Sequence, residues 1–332
     1  MAVKYYNNNT IDTSSTDLLT GDLLVKVTKQ EIDSKVYEGV FGIFTRNVLD
    51  AGFQWEEIEV GNLTSSAFDA TGANAMTKAT MHFKSLFHKL NRERTFQATV
   101  SDAQVKRAML SVANMASLAS AITSELYNSS AIEDYEAMKD LLNDIIAEKK
   151  VMTICDLNGN GADIDAVTKA IQVVASNMTF PSSEYNFSGF KKAFNKKEDL
   201  VLIIGSGLQA QLNVDSLATA FNMEKKALVE HIIVVDALPT ITYSSLATKE
   251  GSTLDIGETN GIVLHKYLAT GTDSVSGTAM AILCDRKAII RDPVERELTE
   301  QYNAKGRFTN YFLHANDVLS YSTLKNAVVF VD

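Results

Sequence analysis

Apolar residues recur along the chain with two different periods, one typical of helices and one typical of strands. Spacings of three and four residues predict amphipathic helices over 31–49, 101–112, 115–126, 130–150 and 163–178. The residues Ser130 to Glu133 match a capping box, which predicts that a separate helix begins there. Three consecutive helices are therefore expected between 101 and 150.

Strict alternation of apolar and polar residues marks two segments in the first third of the chain. The segment 53–60 alternates and ends at Gly61, and the segment 94–100 alternates again after a small, polar stretch at 61–80. We interpret them as the two strands of a long hairpin with an irregular tip. Because an isolated hairpin is marginally stable in water, we expect this one to lie across another subunit.

Short apolar runs dominate the second half and predict strands separated by turns. The runs are 200–204, 232–235, 262–268, 278–284, 287–291, 308–315 and 328–331. Asp285 and Arg286 fit a hairpin turn, and the last run could close a sheet begun much earlier. The three prolines, Pro181, Pro239 and Pro293, are expected at junctions between segments. Helices followed by strands indicate an α+β protein.

A glycine-containing segment after the run 200–204 allows two interpretations. Gly205, Gly207 and Ala210 fit the G-x-G-x-x-A pattern of a dinucleotide site, which would make the chain a nucleotide-binding oxidoreductase. However, Asp236 lies too far along the chain for the expected ribose contact. The other interpretation is a strand, a tight turn and two short helices, in which the glycines serve backbone geometry.

Other chemical motifs are incomplete. The residues Asp156 to Gly161 copy the start of an EF-hand loop, but its last ligand position would be Val167, so turns at Asn158 and Asn160 fit better. Zinc spacing, a nucleophile elbow and a phosphate-binding loop do not occur in the sequence. Asp292 and 295–300 resemble a surface ladder of charges. We expect no catalytic, cofactor-binding or metal-binding residue.

Composition adds limits to these interpretations. The chain has 332 residues, a net charge of −10 and a pI near 5.1, which argue against a nucleic-acid-binding surface. The cysteines, Cys155 and Cys284, lie in apolar contexts and are expected to be buried and reduced. The N-terminus does not resemble a signal peptide, and no apolar run is long enough to span a membrane.

Three collinear groups of residues carry a resemblance to a known family. The first is Leu86-Phe87-His88 followed by Asn91-Arg92, with Tyr127-Asn128-Ser129 and Asp134-Tyr135-Glu136 beyond it; the second runs from Leu200 to Met223; the third is Asn326-Ala327-Val328 with Phe330-Val331. Together they resemble the major capsid proteins of small short-tailed phages of the phi-29 type. The resemblance covers about residues 85–332, and none of its motifs is a catalytic signature.

The resemblance implies the Hong Kong 97-like capsid fold. The expected parts are an N-terminal arm and helix (1–48), an extended β-hairpin loop (49–100), a peripheral domain with a long spine helix (101–195), an axial domain (196–300) and a return to the peripheral domain (301–332). The predicted helix at 130–150 takes the place of the spine helix. An encapsulin-type nanocompartment shell shares this fold and stays an alternative.

A capsid function is implied by the same resemblance. The chain would form hexamers and pentamers in an icosahedral or prolate shell that encloses double-stranded DNA without sequence-specific binding. Expected partners are a portal protein and a separate scaffolding protein, with no membrane contact; the location is the virion, after synthesis in the host cytoplasm. We expect assembly contacts on the hairpin, at Phe53, Trp55, Glu57, Arg94 and Phe96. Trp55 is the expected hot spot, with packing inside its own subunit as the alternative.

Overall fold

The computed structural model describes residues 37–46, 54–68, 70–72, 78, 80–102, 112–212, 214–221, 231–257 and 261–332. The predicted N-terminal arm, Phe53 and most of the predicted helix at 101–112 lie outside the described residues. Of the predicted helix at 31–49, the described part contains one turn of 3-10 helix, Val40–Phe44.

Twelve strands and four α-helices make up the described part of the chain. The strands are β1 (Trp55–Val60), β2 (Phe83–His88), β3 (Arg92–Ser101), β4 (Thr153–Asp156), β5 (Leu200–Gly205), β6 (Ile232–Val235), β7 (Thr240–Leu254), β8 (Ile262–Tyr267), β9 (Asp273–Asp285), β10 (Ile289–Asn303), β11 (Phe308–Tyr321) and β12 (Ala327–Val331). The helices are α1 (Val112–Ala147), α2 (Ile164–Asn177), α3 (Ser206–Gln209) and α4 (Val214–Phe221). A second 3-10 turn, Lys197–Asp199, precedes β5.

A seven-stranded mixed sheet organises the larger part of the structure. Its order is β12-β4-β8-β7-β9-β5-β6, and β12 also pairs with β9, so five of the strands form a closed ring. The long strand β9 makes this closure, because it pairs with β5, β7 and β12 along its length. The prediction that the last apolar run closes a sheet begun much earlier is confirmed by the parallel pairing of β12 with β4.

Each face of this sheet carries its own hydrophobic core. On one face, α2 and α4 pack against the sheet through residues such as Ile171, Val174, Leu217 and Phe221. On the other face, the C-terminal half of α1 and the first 3-10 turn cover it; their core residues are Phe41, Phe44, Met138, Leu142, Ile145 and Ile146. Both faces of β5 are buried, which explains its unbroken apolar sequence.

The glycine-containing segment after β5 has the local structure of the second interpretation. The short helices α3 and α4 follow the strand, and β6 then returns parallel to β5. Helix α3 is only four residues long, Ser206–Gln209. The turn before α2 also follows the prediction, because Asn158 and Gly159 adopt positive φ angles of 55° and 81°, and the side chain of Asp156 accepts a hydrogen bond from the Asn158 N–H at 2.8 Å.

The prediction of two separate helices at 115–126 and 130–150 is wrong. From Val112 to Ala147 the structure has one continuous helix of 36 residues, and Ser130 lies buried within it instead of capping a new helix. Asn128, Ser129 and Ser130 favour caps, but each costs only a few tenths of a kcal/mol in a helix interior. Neither glycine nor proline interrupts this stretch, so helical hydrogen bonding continues through it.

The predicted pairing of the hairpin is also wrong. Strand β1 pairs antiparallel with β2, a strand that the alternation pattern did not reveal, and the register runs from Trp55 opposite His88 to Val60 opposite Phe83. Strand β3, which contains the predicted segment 94–100, belongs instead to a three-stranded sheet of order β10-β11-β3. Two strands within one sequence region therefore serve two different sheets.

The strands predicted in the second half are present, with one correction. Pro293 was expected at a junction but lies inside β10. A proline has no N–H for a sheet ladder, and it is accommodated here because β10 is an edge strand of its sheet. The turn at Asp285 is confirmed: its side chain accepts a hydrogen bond from the Lys287 N–H at 2.7 Å.

The chain divides into two compact units. The smaller one includes Phe96–Ser129 and Leu298–Leu313, and within its described part Tyr302 donates a hydrogen bond to Asp102. The larger unit includes Glu38–Thr95, Ser130–Glu297 and His314–Asp332, and it holds the hairpin β1–β2 and the seven-stranded sheet. The predicted domain boundaries stay a prediction.

We expect two isoleucines of α1 to differ sharply in their effect on stability. Ile145 is 1% exposed and Ile132 is 44% exposed. Because truncation of a buried isoleucine leaves a cavity, Ile145→Ala is expected to lower the free energy of unfolding by about 2–5 kcal/mol. Ile132→Ala, on the same helix, is expected to change it by about 0.5 kcal/mol or less. Urea unfolding of both variants measures the difference, and equal losses would contradict the described packing of α1.

Candidate assembly surface

The hairpin β1–β2 has an inner face made largely of polar residues. In β1, Trp55 is half-buried and Glu57 and Glu59 are buried, although strand alternation usually places apolar residues on the buried side. Opposite them in β2, the side chain of His88 is buried as well. Sequence alternation correctly gave the faces of β1 but not which face is buried.

Two lysines neutralise the buried carboxylates of β1. The Nζ of Lys325 lies 3.2 Å from Glu57 and 3.0 Å from Glu59. The Nζ of Lys191 lies 2.7 Å from the same oxygen of Glu59. Lys325 comes from the turn between β11 and β12, and Lys191 comes from the loop between α2 and β5. These ion pairs attach the hairpin to the end of the chain and to the loop before β5.

The charges of this cluster support one another. Burial disfavours ionisation of Glu57, but hydrogen bonding from His88 and Ser322 outweighs it. With the added charge of Lys325, the pKa of Glu57 falls to about 2. Burial likewise opposes the charge of Lys325, but Glu59 and Glu57 raise its pKa. Glu57 and Lys325 therefore stay ionised at every physiological pH.

Trp55 is packed within its own chain. Its ring centroid lies 4.4 Å from that of His88, and the guanidinium of Arg46 lies 5.5 Å from its ring on another side. The Nδ1 of His88 is 2.9 Å from the hydroxyl of Ser320, and its Nε2 is 3.5 Å from Glu57. Trp55 thus belongs to the inner face of the hairpin, and this face packs against other parts of the same chain.

The outer face of the hairpin is apolar and exposed. Ile58 and Val60 in β1, and Phe83 and Phe87 in β2, have 60%, 41%, 62% and 57% of their surface exposed. The register places Val60 directly opposite Phe83 and Phe87 opposite Glu56, so these side chains share one face. We name Ile58, Val60, Phe83 and Phe87 the outer hairpin face. A contiguous patch of this kind is typical of a protein–protein contact.

A buried ion cluster holds the start of β3 against helix α1. Arg92, 7% exposed, donates hydrogen bonds to the carboxylates of Asp134 in α1 and Asp317 in β11. Arg296 of β10 contacts the same two carboxylates, at 3.1 Å from Asp134 and 2.6 Å from Asp317. Arg291 reaches Asp134 at 2.9 Å.

The cluster corrects the expectation of a surface ladder of charges near 292–300. Asp292 is fully buried, and Arg296 faces the buried carboxylates. Burial opposes ionisation of Asp134, but Arg296, Arg92 and Arg291 together lower its pKa. Sequence alternation could not reveal this, because Arg92 and Asp317 lie 225 residues apart, and Arg296 and Asp134 lie 162 residues apart.

The residues predicted for assembly contacts are divided among different places. Phe53 lies outside the described residues. Trp55 and Glu57 lie on the inner face of the hairpin, whereas Arg94 and Phe96 lie on β3, in another sheet. Arg94 is 58% exposed and pairs with Glu133 at 2.7 Å, and Phe96 is half-buried. The sequence did not reveal the outer hairpin face, because the four-residue spacing of Phe83 and Phe87 resembles a helical pattern as much as a strand.

Other candidate chemistry is limited in the described ranges. Cys155 and Cys284 are free and fully buried, as expected, and burial raises the pKa of both thiols. Among the residues that the structure describes, no group of three or more potential ligands could hold a metal ion. No helix in this part of the chain is long and apolar enough to cross a membrane.

Solved phage capsid structures have a similar fold. The capsid structure of Staphylococcus phage Andhra aligns with a TM-score of 0.70 at 12% identity, over 99% of this chain and 94% of that one. The chain therefore has the α+β fold of a phage capsid protein.

The family follows from the sequence as a whole. A sequence profile described as Phi29-like phage major capsid protein matches residues 9–331, so the chain belongs to this family. The major capsid protein of Bacillus phage PZA is 27% identical over 295 residues, which are 87% of this chain and 57% of that protein. The major capsid protein of Streptococcus phage Cp-1 is 23% identical over 322 residues, covering 92% and 80%. The chain thus spans little more than half the length of the Bacillus phage relatives.

Two arginines of β3 provide a test of the buried ion cluster. Arg92→Met leaves Asp134 and Asp317 with fewer positive partners in a buried site, and we expect a loss of about 3–5 kcal/mol in the free energy of unfolding. Arg94→Met removes an exposed pair and is expected to cost about 0–1 kcal/mol. Chemical denaturation of both variants measures these losses. A small loss for Arg92→Met would show that the cluster contributes little to stability.

The lowered pKa of Glu57 predicts how stability depends on pH. Its pKa is about 2 in the folded chain against an ordinary value of 4.5, so its stabilising contribution is complete above about pH 4.5 and disappears as the pH falls towards 2. Glu57→Gln is therefore expected to flatten the decline of the free energy of unfolding between pH 5 and pH 2. Glu56→Gln, on the outer side of the same strand, is the control and should keep the wild-type slope.

Proposed function

We propose that this chain is the structural subunit of a phage head, in which many copies form a closed shell around the double-stranded DNA genome. The proposal places the protein in the virion and gives it an architectural role without catalysis. It is supported by family membership over residues 9–331 and by the capsid fold. The outer hairpin face also supports the proposal, because four exposed apolar side chains on one face are typical of a surface that binds another protein.

The proposed fold in finer terms is the Hong Kong 97-like capsid fold. In this proposal, α1 is the spine helix, and its 36 residues give a rod about 54 Å long. The hairpin β1–β2 is the extended loop, and strands β5 to β9 belong to the axial domain. Hexamers and pentamers of the chain, a portal protein and a separate scaffolding protein complete the proposed assembly.

The hairpin suits a contact with a second copy because its inner face binds its own chain, whereas its outer face stays exposed. The ion pairs of Lys325 and Lys191 hold the inner face, so the strands keep their shape without a partner. The outer hairpin face is then presented as a rigid surface, and a rigid surface loses little conformational entropy on binding. Of the predicted contact residues, we propose that Trp55 and Glu57 act from beneath this surface. Phe53, Arg94 and Phe96 stay predicted assembly contacts.

The test replaces the two phenylalanines of the outer hairpin face. Phe83→Ser combined with Phe87→Ser removes most of the exposed apolar area, so we expect shells, or rings of five and six, to disappear from electron micrographs and light scattering. Both side chains are more than half exposed, so the free energy of unfolding should change by about 0.5 kcal/mol or less per site.

The matched control is Phe180→Ser, because Phe180 is 64% exposed and lies away from the hairpin in sequence. It should assemble like the wild type. Shells of normal yield from the double variant would remove the outer hairpin face from the proposal. A wild-type chain that stays monomeric at all concentrations, with its scaffolding protein present as well as without it, would contradict the proposed function itself.

A further inference from the structure

A short extended segment before β5 presents two lysines and a phenylalanine in one row. Lys192, Phe194 and Lys196 are exposed, and the residues between them, Ala193 and Asn195, are half-buried and buried. Phe194 is 65% exposed, an unusual degree for an aromatic side chain between two charges. We name Lys192, Phe194 and Lys196 the basic strip.

Hydrogen bonds fix the backbone of the basic strip. The amide and carbonyl of Ala193 exchange two hydrogen bonds of 2.9 Å with Ser182, and the Asn195 N–H donates to the carbonyl of Met178 at 2.9 Å. The side chain of Asn195 donates to Asp285 at 2.5 Å. The strip is thus held by its inward residues, and its outward side chains are available for a partner.

The charges of the strip are little used within the chain. Lys192 has no ion pair with any residue that the structure describes; its backbone N–H donates to Asn62 at 2.6 Å. Lys196 forms a 3.4 Å pair with Glu198, in which both side chains are more than 65% exposed, so water and salt screen it. An acidic partner surface would therefore find two available ammonium groups.

The same chain carries a surface of the opposite character at the end of β10. Leu298, Glu300 and Tyr302 alternate along the strand, so they share one face; Leu298 is 37% exposed, Tyr302 is 55% exposed, and Glu300 is exposed. Glu297 is exposed on the opposite face of the strand. We name Leu298, Glu300 and Tyr302 the acidic strip. It combines a carboxylate with apolar side chains, as the basic strip combines ammonium groups with a phenyl ring.

We propose that the basic strip of one copy binds the acidic strip of a second copy of this chain. The inference rests on the proposed function, because it names a partner surface within the proposed shell. The charges are opposite, and the aromatic and apolar side chains of both strips lose exposed surface in the same contact. Two different patches meet in such a contact, so it is heterologous and can join copies into rings.

Double-stranded DNA is a weaker match for the basic strip. Phosphates would use Lys192 and Lys196 but would leave the exposed ring of Phe194 without a partner. The chain as a whole carries a net charge of −10, which repels a polyanion at any distance beyond direct contact. Each copy of the chain, by contrast, brings its own acidic strip.

Reversal of charge on each strip separately and together tests the contact. Lys192→Glu with Lys196→Glu should raise the protein concentration needed for assembly by about tenfold or more, since like charges then face each other. Glu300→Lys should act in the same direction. The triple variant restores opposite charges on the two strips, and it should assemble at a lower concentration than the lysine variant. Sedimentation of the full chain measures all three.

Two controls separate the contact from other effects. Lys150→Glu with Lys169→Glu changes the net charge equally at exposed sites elsewhere and should leave assembly unchanged. Salt-dependent binding of a DNA duplex that the lysine variant loses would overturn the proposal in favour of DNA. Wild-type assembly by the lysine variant, or a triple variant that assembles no better than the lysine variant, would also overturn it. These last results would leave the outer hairpin face and the capsid function in place.

Discussion

Two buried carboxylates beneath a thin hairpin are the constraint on which the candidate surface depends. Glu57 and Glu59 are buried, and an unpaired buried charge costs several kcal/mol. Lys325 and Lys191 supply the opposite charges from distant parts of the sequence, so the hairpin can be fixed only when both parts are folded. An apolar inner face would have held the strands as well, but it would not have selected one register so strictly, since a slip by one residue would separate the charges.

The ion cluster around Arg92 fixes helix α1 in a similar way, through charged residues that are far apart in the sequence. A long helix with many small and polar residues needs fixed points along its length, and Asp134 provides one inside the larger unit. Arg92, Arg291 and Arg296 approach this carboxylate from β3 and β10. Ion pairs are directional where hydrophobic contacts are not, so they fix the angle of approach as well as the distance.

The sequence allowed the prediction of elements whose signal is local. Helix α2, the fully buried β5, the turn at Asp156 and the strands of the second half all follow from spacing and turn chemistry. Partners far apart in sequence could not be predicted. Alternation in 53–60 gives the two faces of β1, but only Lys325 and Lys191 decide that the carboxylates face inward.

The remaining errors of the sequence-based prediction also arise from contacts between residues that are far apart in the chain. The polar residues at 128–130 indicated a helix boundary, yet the buried positions on either side continue α1. Strand β3 alternates like a hairpin partner of β1, but its arginine pairs with α1 and β11 instead. Such choices depend on tertiary contacts, which a pattern within one segment does not contain.

The closed ring of strands has a consequence for the timing of synthesis. Val328 of β12 pairs with Thr153 of β4, a separation of about 175 residues, and such distant pairings form late in folding. The ring cannot close until the ribosome has released β12, and Lys325, two residues before that strand, reaches Glu57 and Glu59 only then. A nascent chain that lacks β12 would therefore not present a fixed hairpin.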